Sequence, residues 1–302
     1  MPNSPTVSVV IPAYNHRDYV LATLDSVFAQ TFTDYEIIVV NDGSPDDTAA
    51  VLRPLVDAGR IRYFEQPNAG QGAARNRGVA EARGRYIALL DDDDLWTPDK
   101  LARQVDALES NPNAVLAYGG WSRLEPDGTV TPHPDEGCPS GRVYDAFRKQ
   151  CWLLSPGQAL MRTTAVRSAG GFDPAIWGSD DWDLYLRLAR EGEFFYDPRV
   201  CLHYRVHAAN ASRRAVQHAA NHLKVVRRHI GWNVPLLVSH QRAAARYFVP
   251  NLLSYAHASR KSGVPREALK AYAYALTFQP GLLLRRTFLA GAAGTLLGRK
   301  PG

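Results

Sequence analysis

Cysteine is scarce. The three thiols, Cys138, Cys151 and Cys201, form no CxxC pair, which excludes a disulfide framework and a structural zinc site and fits a reducing compartment. Long apolar runs are missing too. The longest late stretch, residues 288–298, is too short to span a bilayer, and MPNSPTV at the start has neither the basic nor the apolar region of a secretory leader. A cytoplasmic protein is expected, peripheral on the inner face of the membrane if it binds lipid. Acid is nearly absent from the last third: residues 211–302 carry 15 Lys and Arg against one acid, Glu267, a formal +14. The first 210 residues carry 20 basic and 29 acidic residues, so the overall +5 hides a −9 body and a strongly basic one. An acidic body suits metal chemistry, and a basic one suits an anionic partner. That the tail merely neutralises the acidic body is the plainer alternative.

What is present is globular: 302 residues, 45% hydrophobic and 22% charged, exclude disorder and fibrous repeats. Residues 7–12 (VSVVIP) form a β-branched run, followed by Val20, Leu24, Val27 and Phe28 at helical spacing. The strand signal returns at residues 36–41 (EIIVVN), before a turn in which Asp46 or Asp47 can cap a helix reaching Leu55. Strands at 61–65, 86–90 and 114–118 alternate with a small-residue helix after Gly70 and a helix from Pro98. This alternation predicts an α/β fold with a mostly parallel central sheet flanked by helices. Ligands on such sheets lie at the carboxyl ends of strands, where Tyr14, Asn15, Asp42 and residues 91–94 fall. Residues 121–156 are irregular, with a short helix around 144–149. After residue 212 the chain reads as helical, punctuated by Gly231, Pro235, Pro250, Gly263 and Pro280.

The strongest chemical feature is Asp91-Asp92-Asp93-Asp94, directly after an apolar strand. Four adjacent carboxylates repel one another unless a cation neutralises them, and hard oxygen ligands point to Mg²⁺ or Mn²⁺. A solvated acidic turn with Asp94 as a helix cap is the bland alternative. The string NAGQGAARNRG at 68–78 places glycines at a helix start, where backbone N–H groups can approach a phosphate; small residues that let a helix pack closely are the equal alternative. Asp180, Asp181 and Asp183 open a helix, where acids are favoured by its dipole, yet Asp181 could equally act as a general base on an acceptor hydroxyl. His203, Arg205 and His207 alternate on an expected strand and would share one face, offering metal or diphosphate contacts; satisfied, partly buried side chains are the equal alternative.

These strings resemble those of family 2 glycosyltransferases. VSVVIPAYN, VVNDGS, NAGQGAARNRG, YIALLDDDDLWTPDKL, GGFD and DDWDLYLRLA occur in family order over roughly residues 7–210. The resemblance implies a GT-A (Rossmann-like) fold and an inverting transfer from a nucleoside diphosphate sugar to a hydroxyl of a glycan or lipid-linked acceptor, in cell-surface polysaccharide or glycolipid synthesis. It implies nucleotide-sugar contacts at Pro12, Ala13, Tyr14, Asn15, Asp42, Arg75, Asp91 and Asp92. It also implies a divalent metal, Mn²⁺ or Mg²⁺, on Asp93 and Asp91 with His207 as a further contact, and Asp181 as catalytic base. Asp180 stands where the family has a longer acid. Trp152 and Trp177 join Asp180 as acceptor candidates.

Three regions are expected: a nucleotide-sugar half at 1–115, an acceptor half with the base at 116–211, and a basic helical extension at 212–302. In the extension Arg213, Arg214, Lys224, Arg227, Arg228, Arg242 and Arg246 interleave with apolar residues, which suits an anionic membrane surface. No zinc finger, helix-turn-helix signature or RNP-type strand supports nucleic acid. A non-catalytic nucleotide-sugar or glycan-binding module of the same fold is the competing function.

Overall fold

The computed structural model describes residues 4–207 and 214–296. Residues 208–213, Arg213 among them, and the end of the 288–298 stretch lie outside the described residues. The chain begins β1 (Val7–Ala13), α1 (Val20–Phe28), β2 (Tyr35–Asn41), α2 (Thr48–Asp57), β3 (Arg62–Glu65) and α3 (Gln71–Glu81). It continues through β4 (Tyr86–Leu89), β5 (Leu95–Trp96), α4 (Lys100–Ser110), β6 (Ala114–Leu124), β7 (Val130–Pro132) and α5 (Tyr144–Lys149). Next come β8 (Ala159–Arg162), α6 (Thr163–Ser168), α7 (Asp180–Glu191) and β9 (Glu193–Arg205). The helices α8 (Ala215–His229), α9 (Val234–Lys261), α10 (Pro265–Phe278) and α11 (Arg286–Leu296) follow, with 3-10 turns at Pro156–Gln158 and Pro280–Leu284.

The chain forms two compact units. The first holds Met1–Phe147, Cys151–Ala175 and Asp180–Ala208; the second holds Arg148–Gln150, Ile176–Ser179 and Ala209–Gly302. In the first, the strands form one sheet in the order β3-β2-β1-β4-β8-β6-β9-β5, with β7 on β6. The β-branched runs of β1 and β2 are buried on both faces, as a sheet sandwiched by helices requires. β1 pairs in parallel with β2 and β4, and β2 with β3, which brings their carboxyl ends to one edge.

Beyond β4 the sheet is mixed. β8 runs antiparallel to both β4 and β6, while β9 returns parallel to β6. The sequence pattern misses β8 because this four-residue strand follows directly on a 3-10 turn and leads into a helix, too short for alternation to show. β6 also outruns its expected end, reaching Leu124 through register shifts at Gly119 and Gly120. A Cβ on Gly120 would lie 2.6 Å from the Pro198 carbonyl, so glycine is what allows β9 to bulge there.

The second unit has its own core, in which Phe248, Val249, Leu252 and Ala256 of α9 pack with Ala268, Ala271, Ala275 and Phe278 of α10. Pro250 does not break α9, contrary to the sequence punctuation: a single helix runs through it. An interior proline forfeits a backbone hydrogen bond at a cost of about 3 kcal/mol, and the buried face supplies enough apolar area to outweigh that. Among the described residues no helix is long and apolar enough to cross a membrane.

Candidate active site

At the carboxyl edge of β4 the chain turns into Asp91–Asp94, and the four carboxylates turn to largely different partners, Asp91 and Asp94 sharing the Ser155 hydroxyl. Asp91 accepts from the Arg75 guanidinium at 2.8 Å and from the Gln71 amide at 3.0 Å. Asp92, buried, accepts from the Tyr14 backbone N–H at 2.8 Å and pairs with His16 Nδ1 at 2.7 Å. Asp93 faces His207 Nε2 at 2.8 Å. Asp94 is fully buried and accepts from the Arg205 N–H at 3.0 Å and the Ser155 hydroxyl at 3.2 Å. This narrows the expected role of a metal. The chain's own cations and N–H groups answer part of the repulsion, and Asp94 ties β9 to the acidic turn instead of capping a helix.

His16, Asp93 and His207 each offer a ligand atom, and these atoms lie within 4.8 Å of one another. Two imidazoles and one carboxylate form a donor set that fits Mn²⁺ better than Mg²⁺, which prefers oxygen throughout. Asp91 stands apart from this trio, held by Arg75. His203 does not join it either: its Nδ1 meets the Ser122 hydroxyl on β6. His207 lies past the end of β9, so strand alternation does not govern where it points. Burial works against a charge on His16, but the hydrogen bond and charge of Asp92 overcome it and push its pKa up to about 9. Burial raises Asp92 to about 6, with His16 pulling the other way.

Arg75 is the hinge of the site's electrostatics. It is 2% exposed, and beside Asp91 it holds Asp180 of α7 at 3.0 Å. Burial opposes the guanidinium charge, yet Asp91 and Asp180 keep it on. Removing one member of such a buried set strands the other charges, so Arg75 couples the acidic turn to α7. Beside it, half-buried Asp181 accepts from the Trp182 backbone N–H at 2.7 Å. Desolvation first, then repulsion from Asp180, pushes Asp181 up to about 7, with Arg75 opposing. A carboxylate so poised is suited to general-base work near neutral pH.

The glycine-rich string makes packing and loop-closing contacts. The N–H groups of Ala69 and Gly70, just ahead of α3, donate to Asp42 at 2.9 and 2.8 Å. Asp42 also accepts from the Gln66 amide at 2.8 Å. A Cβ on Gly78 would lie 2.1 Å from a Val10 methyl, which seats α3 directly on β1. Pro12 and Ala13 are buried in β1, and Tyr14 and Asn15 are the exposed members of their segment. The GGFD string closes a loop over α3: Asn76 receives the Phe172 N–H at 2.8 Å and donates to its carbonyl at 2.7 Å.

Four participants escape sequence reasoning. His16 directly follows the Tyr14-Asn15 segment, Gln71 opens α3, and Ser155 sits in the irregular stretch; none carries a pattern of its own. Tyr185 does carry one, since it stands four residues after Asp181 and so shares its face of α7. Its hydroxyl is buried without a hydrogen-bond partner among the described residues, as is the indole N–H of Trp152. Burial, then the charge of Asp181, holds the Tyr185 phenol well above its usual pKa, so it remains a donor. In the second unit, Trp177 accepts at its carbonyl from Asn221 at 2.9 Å, with the Arg214 guanidinium over its ring at 5.2 Å.

Comparison with known proteins adds a family and a fold. A family model described as glycosyl transferase family 2 matches residues 8–170. An uncharacterised glycosyltransferase of Rickettsia typhi (strain Wilmington) is 31% identical over 217 residues, 70% of this chain and 68% of the relative. The chondroitin synthase of Escherichia coli is 29% identical over 224 residues, 74% of this chain and 32% of that protein. Against several curated relatives the chain spans only about a third of their length, 32% for one from Rickettsia bellii. Among solved structures, S. aureus TarS 1-349 in complex with UDP-GlcNAc has a TM-score of 0.66 at 14% identity, covering 98% of this chain and 89% of that one. The mannosyltransferase PcManGT from Pyrobaculum calidifontis, with GDP-Man and Mn²⁺, has a TM-score of 0.54 at 18% identity, covering 98% and 86%.

Proposed function

The chain belongs to glycosyl transferase family 2 and has its GT-A fold, and from that premise we propose that it moves a sugar from a nucleoside diphosphate sugar to a hydroxyl of a glycan or lipid-linked acceptor, with inversion, in cell-surface polysaccharide or glycolipid synthesis. The observation that carries this reading is the Arg75 bridge, which fixes Asp91 at the strand edge and Asp180, next to Asp181, at the start of α7. Asp181 withdraws the proton from the acceptor hydroxyl as it attacks. A single displacement with the base on the acceptor side inverts the anomeric carbon. Tyr14, Asn15 and Asp42 are read as nucleoside contacts and Asp92 as a donor contact, while Asp180, Trp152 and Trp177 are read as acceptor contacts. Residues 1–115 would form the donor half and 116–211 the acceptor half.

His16, Asp93 and His207 would hold a divalent ion, which when bound supplies positive charge against the leaving diphosphate. The basic segment 212–302 supports placing the reaction at an anionic membrane surface. The test is a thermal-shift screen of UDP, dTDP and GDP sugars with Mn²⁺, Mg²⁺ or chelator, since a ligand of the native state raises apparent stability. A metal-dependent rise with one nucleotide is expected, and Asp93→Ala should abolish its metal-dependent part. A family of shifts indifferent to metal would remove the proposed ion site, and no shift with any nucleotide would remove the donor reading.

A further inference from the structure

Within the second unit, one face of α9 repeats at the helical period: Val238, Arg242, Ala245 and Val249 stand three or four residues apart, and Arg246 stands four after Arg242. Together with Leu253, Phe278, Pro280 and Arg285 they line an open groove of about 840 Å³. That volume falls in the range of ligand sites, about 300–1,000 Å³. The floor is apolar, with Val249 and Phe278 buried at its base. Arg242, Arg246 and Arg285 are exposed, and among the described residues no carboxylate pairs with any of them. The lone acid of residues 211–302, Glu267, is occupied with Lys270 at 2.7 Å. Immediately before Arg285, Leu283 and Leu284 project into solvent, Leu284 being 89% exposed.

Three unpaired guanidiniums around an apolar floor, with leucines standing free beside them, complement one chemistry: a phosphate carrying a hydrocarbon chain. Arginine binds phosphate oxygens through its planar fork, and its aliphatic stem tolerates an acyl neighbour. Resting on the membrane-surface reading, we infer that this groove seats an anionic phospholipid of the bilayer, its phosphate on Arg242, Arg246 and Arg285 and its chain along Val238, Val249 and Phe278. The exposed leucines enter the headgroup boundary beside it.

The test is co-sedimentation of the full chain with phosphatidylcholine vesicles, with and without phosphatidylglycerol, at low salt. The wild-type chain should bind the anionic vesicles and ignore the neutral ones. Each basic residue at a lipid surface is worth about a five-fold change in binding, so Arg242→Ala with Arg246→Ala and Arg285→Ala should weaken it on the order of 100-fold. Arg227→Ala with Lys261→Ala and Arg266→Ala removes three equally exposed charges away from the groove, and should cost far less. Leu284→Glu, at a site already in solvent, leaves the fold intact and should weaken binding as well. Equal losses for the two triple variants would overturn the groove while leaving the membrane reading standing. No binding by the wild-type chain would overturn both.

Discussion

If Asp181 is the base proposed above, its displaced ionisation has two measurable signatures, one in catalysis and one in stability. Its folded pKa of about 7 lies above the ordinary carboxylate value, so the native state holds a proton that the unfolded chain releases. The sign follows from linkage: this contribution to stability is present in acid and is lost as pH rises to about 7. Transfer runs the opposite way, since a base works only when deprotonated, and the pH profile of kcat should rise to a plateau through about 7. Asp181→Asn should keep nucleotide binding, lose transfer by about 10²-fold or more, and be more stable than wild type to urea above pH 7, by about 1–2 kcal/mol given partial access to water. Retained transfer would sink the assignment. Tyr185 gives a second test. Its buried hydroxyl has no hydrogen-bond partner among the described residues, so Tyr185→Phe should leave urea stability unchanged or slightly raised; on the reading that this hydroxyl meets substrate, kcat/KM should fall. A loss of stability with unchanged kinetics would make it a core residue only.

Helix α3 shows how an element can be legible in sequence while its purpose stays open between two readings. The small residues of NAGQGAARNRG are legible as a helix start after Gly70, whose φ of 90° suits glycine. Phosphate binding and close packing predict the same residues, and only the neighbours decide between them: Val10 beneath Gly78, and Asp42 at the N–H groups of Ala69 and Gly70. Gly78→Ala would drive a methyl into Val10 and lift α3, and with it Arg75, from the sheet. We expect a loss of about 1–3 kcal/mol in urea unfolding and weakened nucleotide binding from the displaced Arg75. Unchanged stability would mean that α3 tolerates a looser seat. Helix α9 teaches the converse. Pro250 carries a strong local signal to stop, and a buried face packed on α10 overrides it.

For the molecule as a whole, two separate cores imply two cooperative bodies. One is built on the sheet from Val9, Val39, Ala88 and Leu160; the other is built from Phe248, Ala271 and Phe278. Calorimetry should resolve two transitions, and a nucleotide that binds at the sheet edge should raise one of them and leave the other in place. A single transition shifted as a unit by nucleotide would show that the helical body does not melt on its own.

The sequence by itself determined the alternation of strands and helices through residue 118, the acidic turn at a strand end, the acids opening α7 and the division of charge at about residue 210. Each of these is written in neighbouring residues, as a period, a turn or a run of like charges. Tertiary structure alone decided which charge meets which. Arg75 reaches Asp180 across 105 residues and Asp93 meets His207 across 114. His16 turns to Asp92, while Asp94 is withdrawn from the site to hold β9. Such pairings depend on where strands of different sequence distance are laid side by side, and on which buried group can least bear to stand unpaired. No spacing along the chain encodes that competition.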